Sequence, residues 1–298
     1  MEMIHYSQEG SRLTLRGGLE SEACEEIKKG TYRVLHLKTG SWPDLSVLRG
    51  LSLEGLIISS DDIDWDSLYQ LKGLKRLELR VPFKHAVDFY KFPQLEFVKL
   101  IWSKCYNEGS FYLEHLEVLI IEGHKGADIS EFPCLNNLKY VEFIRCAFNS
   151  MDGIDRFANL KGIYLYSLPK LLDISAFTRL HQLKSLEIDC CKRIGNFEAI
   201  GAITHLSYLM LTGGGVISSL DFIKKLKQLA YLAFGNGTKV ETNDLTPLYK
   251  VKSLKRCRFH NSRGYNLKQK DVEMELIKRH GKLYEPEELM WDQPRMRC

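Results

Sequence analysis

The sequence predicts an α/β repeat solenoid with one parallel β-sheet on its concave face and short turns or helices on its convex face. First, a frame with apolar residues at positions one, four and six recurs at steps that lengthen from 21 residues (Leu53 to Leu74) to 25 (Leu229 to Leu254). Second, the fifth position is usually not apolar, which is the alternation of a strand buried on one face. One such unit cannot bury its apolar face alone, so stacked copies must share a core.

The repeat frame is clearest at Leu183, Leu186 and Ile188. About eleven copies fit it, with first positions at Tyr32, Leu53, Leu74, Leu95, Leu116, Leu138, Leu160, Leu183, Leu206, Leu229 and Leu254. This period and spacing are typical of leucine-rich repeats. Over about residues 32–260 the chain resembles the leucine-rich-repeat family, and short bacterial internalin-like repeats most closely. The return segments, for example residues 172–177, resemble the short convex turns of that family.

The chain departs from the family at the ninth repeat position, where family repeats usually place Asn. That position holds Pro82, Ser103, His124, Cys146, Leu168, Cys191, Gly214 and Gly237. We expect irregular turns, in which cysteine and serine side chains make part of the backbone hydrogen bonds that Asn would make.

We expect one domain, because a solenoid grows by repetition and needs no second core. Its predicted parts within 1–298 are an N-terminal cap (1–31), repeats of 21–25 residues (32–262), and a C-terminal cap and tail (263–298).

The two caps contain recognisable elements. Residues 13–15 predict an edge strand, and residues 21–30 predict a helix that ends in glycine. Residues 271–281 predict a second helix ended by glycine, and residues 286–291 a short turn opened by proline. Residues 292–298 predict a loose tail.

Composition and termini indicate the class of protein. Hydrophobic residues at 44% and charged residues at 27% are typical of a soluble globular chain. No apolar run approaches the roughly 18 residues of a membrane-spanning helix, and residues 1–6 lack a basic region followed by an apolar core. We therefore expect a cytoplasmic protein. The 8 cysteines show no CxxC spacing, so we predict that most of them pack as small core residues rather than bind metal or serve a redox role.

The candidate binding surface is the outward side of the predicted sheet, where side chains alternate with the buried positions. Its middle is rich in aromatic and aliphatic residues, which is typical of a binding surface, and its acids indicate a partner with basic groups. The candidate partner-binding residues are Phe97, Ile101, Val118, Ile120, Glu122, Tyr140, Glu142, Ile144, Tyr164, Tyr166, Glu187, Asp189, Tyr208, Met210 and Tyr231. The alternative is that strand propensity selects these residues and that they cover neighbours or lie under the C-terminal segment.

A run of cations without Asp or Glu spans residues 250–270 and comprises Lys250, Lys252, Lys255, Arg256, Arg258, Arg263, Lys268 and Lys270. Nucleic-acid binding is one interpretation of this strip. The other is a solvated edge whose charges pair with acids such as Glu273 and Glu275, which is more typical of charge runs.

No pattern in the sequence predicts catalysis. Residues 213–215 lack the following lysine of a phosphate-binding loop, and no nucleophile and base can be placed together. The sequence therefore predicts a non-enzymatic, monomeric, bacterial protein-binding module with no metal or cofactor. In its sharper form it is an inhibitor or immunity protein that blocks a toxin. The alternative is a nucleic-acid-associated protein that uses the 250–270 strip.

Overall fold

The computed structural model describes residues 4–6, 12–18, 21–29, 32–85, 87–106 and 113–289. The chain divides into two compact units: unit 1 is Met1–His124 with Phe132–Leu138, and unit 2 is Lys125–Glu131 with Lys139–Cys298. In each unit short strands stack in parallel, which confirms the predicted leucine-rich-repeat fold class. That the whole chain is one domain stays a prediction.

Unit 1 begins with an antiparallel pair of strands, and each later described strand of the unit pairs in parallel with the one before it. The strands are β1 (Ile4–Tyr6), β2 (Arg12–Gly17), β3 (Val34–Gly40), β4 (Gly55–Ile58), β5 (Arg76–Leu79), β6 (Phe97–Ile101) and β7 (Val118–Glu122). The helices are α1 (Ser21–Lys28) and α2 (Trp65–Leu68). β2 and α1 confirm the predicted strand and helix, but β2 is not an edge strand, because β1, which was not predicted, pairs with its outer side. The predicted stop of α1 at Gly30 lies outside the described residues.

Unit 2 continues the same pattern and ends in helices. Its strands are β8 (Tyr140–Ile144), β9 (Gly162–Tyr166), β10 (Ser185–Asp189), β11 (Tyr208–Thr212), β12 (Gly215–Ile217), β13 (Tyr231–Gly235), β14 (Thr238–Val240) and β15 (Arg256–Phe259). β12 and β14 form a separate parallel pair. The helices are α3 (Pro247–Lys250), α4 (Gln269–His280) and α5 (Pro286–Leu289). α4 confirms the predicted helix, and Gly281 ends it at φ +79°. The predicted tail at residues 292–298 lies outside the described residues.

The predicted in–out register is confirmed in both units. Leu186, for example, is fully buried and lies between Ile163 of β9 and Leu209 of β11. The buried residues at the fourth and sixth positions are Leu35, Leu37, Leu56, Ile58, Leu77, Leu79, Val98, Leu100, Leu119, Ile121, Val141, Phe143, Ile163, Leu165, Leu186, Ile188, Leu209, Leu211, Leu232, Phe234, Cys257 and Phe259. Burying one such side chain contributes about 1.5–3 kcal/mol.

Aspartate side chains fix several of the return segments. Each accepts a hydrogen bond from the backbone N–H two residues later, which is the geometry of an Asx turn. The pairs are Asp44 with Ser46 (2.8 Å), Asp88 with Tyr90 (3.2 Å), Asp128 with Ser130 (2.9 Å), Asp173 with Ser175 (2.7 Å) and Asp244 with Thr246 (2.9 Å). Short 3₁₀ turns follow, for example Ser175–Arg179, so the predicted brief convex turns are confirmed.

Cysteine and serine replace Asn at the ninth repeat position, as predicted. Cys191 Sγ accepts a hydrogen bond from Leu168 N at 3.4 Å and donates to Asp189 O at 3.5 Å. Ser103 Oγ donates to Phe83 O at 2.6 Å. These bonds satisfy backbone groups of the turns that a column of Asn residues would otherwise satisfy.

The C-terminal cap attaches to strand β15 through Gln269. Its Nε2 donates to Cys257 O at 2.7 Å, and its Oε1 accepts from Phe259 N at 2.8 Å. At the other end of α4, Arg279 Nη1 donates to Val251 O at 2.9 Å. Both ends of the helix are therefore bonded to the last repeat.

Candidate functional site

The outward side chains of β8 to β11 form one surface, which we call the unit 2 face. They occupy the third, fifth and seventh repeat positions, which alternate with the buried ones. The unit 2 face comprises Tyr140, Glu142, Ile144, Gly162, Tyr164, Tyr166, Ser185, Glu187, Asp189, Tyr208, Met210 and Thr212. It carries acids and tyrosines but no Lys or Arg.

The partly exposed part of this face is centred on two tyrosines of β9. The ring centroids of Tyr164 and Tyr166 lie 6.3 Å apart with an interplanar angle of 29°. Glu187 is the register partner of Tyr164, and both Ile144 and Asp189 are register partners of Tyr166. Thr212 Oγ1 donates to Asp189 Oδ1 at 2.9 Å, so this carboxylate is held in place. The structure brings these predicted residues into one patch.

Three other predicted anchors are buried. Tyr140, Tyr208 and Tyr231 are each 4% exposed, so the prediction that they lie on an open outward surface was wrong. The rings of Tyr208 and Tyr231 stack with centroids 4.4 Å apart and an interplanar angle of 11°, because adjacent strands lie about 4.8 Å apart. Met210 and Leu289 of α5 pack against this pair. The alternative that such residues cover neighbours or lie under the C-terminal segment is thus confirmed for this pair.

Tyr140 is covered for a different reason, which lies in the neighbouring strand. A Cβ atom at Gly162 would lie 2.7 Å from Tyr140 Cδ1. The absent side chain of Gly162 therefore leaves the space that the Tyr140 ring occupies.

The remaining predicted residues are also more buried than expected or lie in unit 1. Glu142 and Glu187 are 8% and 7% exposed although they point outward. Five candidates belong to β6 and β7 of unit 1: Phe97, Ile101, Val118, Ile120 and Glu122. Of these, Val118 and Ile120 are buried. That the candidate residues bind a partner stays a prediction.

A basic cluster on the outward side of unit 1 was not predicted as a site. At its centre Glu78 is 1% exposed and lies between two guanidinium groups, with Nη2 of Arg76 at 2.6 Å and Nη2 of Arg80 at 2.8 Å. Burial raises the pKa of Glu78, but the hydrogen bonds and charges of Arg80 and Arg76 outweigh burial and hold the pKa below its ordinary value. The Arg76 guanidinium also lies 3.9 Å from the ring centroid of Phe97.

The same cluster surrounds a buried histidine of β3. Burial lowers the pKa of His36 to about 4. Nearby cations act in the same direction, in decreasing order Arg80, Lys38 and Arg12. The signal in the sequence was the third copy, which holds Arg76 and Arg80 at its third and seventh positions, together with Lys38 at the seventh position of the first copy.

Within the 250–270 strip, Arg256 and Arg258 form ion pairs with acids that follow it in the chain. Arg256 Nη1 lies 3.4 Å from Glu273 Oε1, as the pairing interpretation predicted, whereas Glu275 pairs with Arg279 instead. Arg258 Nη2 lies 3.3 Å from Glu285 Oε2. These contacts favour the solvated, paired edge over a nucleic-acid surface.

The described residues show no group of three or more His, Cys, Asp or Glu side chains placed to hold a metal ion. Burial raises the pKa of the Cys191 thiol to about 12, so this side chain is a neutral packing group at neutral pH. Within the same described residues, no helix has the length and apolar character needed to cross a membrane.

Comparisons with known proteins identify the fold. No family model and no curated protein sequence matches the chain. Among solved structures, an internalin (InlF) from Listeria monocytogenes is similar at 18% identity and a TM-score of 0.58, over 86% of this chain and 84% of that one. The functional domain of InlJ from the same organism is similar at 17% identity and a TM-score of 0.53. That match covers 79% of this chain, which spans 49% of the InlJ chain. Together with the repeat period and the strand register, these similarities show that the chain has the leucine-rich-repeat fold found in internalins.

Proposed function

We propose that this chain is a non-enzymatic protein-binding module whose unit 2 face binds a partner segment that carries basic groups. The observation that supports this most is the pair of partly exposed rings, Tyr164 and Tyr166, beside Glu187 and Asp189. Rigid aromatic side chains on regular strands lose little conformational freedom on binding, which favours affinity. The acids favour a cationic partner and fix its orientation.

In its sharper form the proposal is that binding inhibits the partner, as an immunity protein inhibits a toxin, in the cytoplasm of a bacterium. A monomer would suffice for this function. Inhibition that saturates at one chain per partner molecule would support this form, and a bound partner that keeps full activity would contradict it.

The test compares two exposed tyrosine sites. Affinity purification with the wild type, with the double variant Tyr164→Ala/Tyr166→Ala and with Tyr90→Ala as control identifies proteins lost only from the double variant. Tyr90 is 59% exposed and belongs to a return segment of unit 1. Titration of the purified partner should show a loss of about 2 kcal/mol or more for the double variant. A partner with unchanged affinity for the double variant would refute the proposed site.

A second test of the proposed site changes a charge instead of an aromatic ring. Asp189→Asn retains the side-chain shape and an oxygen that can accept from Thr212, but it removes a charge. We expect weaker partner binding and a shallower dependence on salt. A nucleic acid that binds with a steep salt dependence, and that is lost in Lys268→Ala/Lys270→Ala, would favour the alternative function instead.

A further inference from the structure

A cavity of about 460 Å³ lies at the carboxyl ends of β11, β13 and β15, within unit 2. It lies beside the unit 2 face and shares Thr212 with it. Its polar lining includes Thr212, Asn236, Arg256, Arg258, His260 and Glu273. Ligand pockets typically fall in this range of volume.

Arg256 is the residue of the lining whose side-chain donors have the fewest hydrogen bonds. The residue is 7% exposed, and its Nε and Nη1 atoms make no hydrogen bond with the part of the chain that the structure describes. Glu273 Oε1 lies 3.4 Å from Nη1, but that oxygen already accepts from Gln269 Nε2 at 2.8 Å. A buried guanidinium with unused donors is costly unless an acceptor completes it.

The neighbouring backbone of β13 is shaped to fit the ring of His260. Gly235 has a φ of +147°, and a Cβ atom there would lie 2.7 Å from His260 Nδ1. Asn236 N donates to the same Nδ1 at 3.2 Å. The neutral ring therefore carries its proton on Nε2, which is a further hydrogen-bond donor of the lining.

The charge of the lining selects the class of anion. Arg256 and Arg258 contribute two positive charges and Glu273 contributes one negative charge, while Glu285, which lies 3.3 Å from Arg258, balances the second cation. A monoanionic carboxylate adds one negative charge beside Arg256, whereas a dianionic phosphate would add two and experience more repulsion from Glu273. We propose that this cavity binds a carboxylate group through Arg256, with Arg258 and His260 as supporting donors. This inference does not depend on the unit 2 face as a protein-binding site.

The experiment follows the Arg Nε–Hε resonances of ¹⁵N-labelled protein by NMR, assigned by substitution. The probes are sodium acetate, N-acetyl-Gly-Gly with a free carboxylate, the same dipeptide as its carboxamide, and sodium phosphate, all at matched ionic strength. We expect a saturable shift of the Arg256 resonance with the free dipeptide and none with its amide. Saturation by acetate as well would identify small carboxylic acids as ligands, and saturation by the dipeptide alone would identify a peptide chain end.

The matched variants are Arg258→Met in the cavity and Arg263→Met in the exposed loop outside it. Arg258 is largely exposed, so its loss leaves the fold intact. We expect Arg258→Met to weaken dipeptide binding about tenfold or more, which corresponds to one lost charge-assisted hydrogen bond. Arg263→Met should bind as the wild type does. Tighter binding of phosphate than of carboxylate, equal shifts from the amide, or no saturable shift in the wild type would each overturn the proposal.

Discussion

The outward side chains of β2 to β6 in unit 1 and of β8 to β11 in unit 2 occupy equivalent repeat positions but carry opposite charge. On and directly after β2, β3, β5 and β6 the outward positions hold Arg12, Lys38, Arg76, Arg80 and Lys99, with Glu78 among them. The corresponding positions on β8 to β11 hold Glu142, Glu187 and Asp189 together with four tyrosines. The inward positions do not differ in this way, since both units bury leucine, isoleucine and valine.

The difference shows what the repeat constrains. Inward positions must be apolar in every copy because each copy buries its neighbours. Outward positions are free of that demand, so their chemistry can change along the chain without a change of fold. The charge contrast is therefore the better guide to where ligands bind.

The largest expected effect concerns the buried inward positions, which both units have in common. Leu77→Ala in unit 1 and Leu186→Ala in unit 2 should each lower the free energy of unfolding by about 2–5 kcal/mol, because each leaves a cavity in a fully packed core. Chemical denaturation measures both. Glu187→Ala is the outward control. Since Glu187 is 7% exposed, we expect it to cost about 1 kcal/mol rather than the few tenths typical of a surface change. A cost of only a few tenths for Leu77→Ala would show that the two cores are not equivalent.

The next effect separates the buried and exposed tyrosines of unit 2. Tyr208→Ala removes a ring stacked on Tyr231 and covered by Leu289, so it should cost about 3 kcal/mol. Tyr164→Ala removes a partly exposed ring and should cost about 1 kcal/mol or less. Thermal and chemical unfolding of the two variants checks this, and equal losses would mean that both rings belong to the core.

A smaller effect concerns the ion cluster of unit 1. Glu78→Gln leaves two guanidinium groups without the charge that they share, so we expect a loss of about 2 kcal/mol. The control is Glu54→Gln, which breaks the exposed pair with Arg33 at 2.8 Å and should cost about 0.5 kcal/mol or less. If both changes cost the same in denaturation, the Glu78 cluster is only a surface ion pair.

The smallest effect is a pH dependence confined to unit 1. The pKa of His36 falls from its ordinary 6.5 to about 4 on folding, so between those values the unfolded state binds more protons. Stability should therefore fall as the pH drops from 6.5 to 5, by about 1–2 kcal/mol. Glu78 also loses its contribution on acidification, but only as the pH falls below the ordinary range for Glu. Comparing wild type with His36→Gln between pH 6.5 and 5 isolates the histidine, and parallel stability curves would contradict its role.

The strands could be predicted because each depends on a local signal repeated many times. A single pair such as Val98 and Leu100 does not by itself distinguish a strand from a helix. The recurrence of the pair at a fixed interval, as Leu119 and Ile121, favours the strand. β1 lacks that support, because it precedes the repeats and pairs antiparallel. β12 and β14 were not predicted either. Each has only three residues and lies beside glycines, which is too short a segment to show a periodic pattern.

The candidate site could be predicted only in part. The repeat pattern shows which side chains point outward, but it does not show which of them are buried beneath another segment of the chain. Tyr164 and Tyr208 both point outward, yet only Tyr208 lies beneath the last short helix. That contact joins positions more than 70 residues apart, and no local pattern encodes it. By contrast, the pairing of Arg256 with Glu273 could be foreseen because the two charges are close in sequence and opposite in sign.

Gln269 also has a consequence for assembly. A parallel sheet built by repetition ends in a strand whose free N–H and C=O groups can recruit a strand from another molecule. The amide of Gln269 imitates the backbone of a further strand, since it donates to Cys257 O and accepts from Phe259 N. It thereby occupies the backbone groups through which the edge strands of two molecules would pair. We expect that the first effect of Gln269→Ala is self-association at high protein concentration.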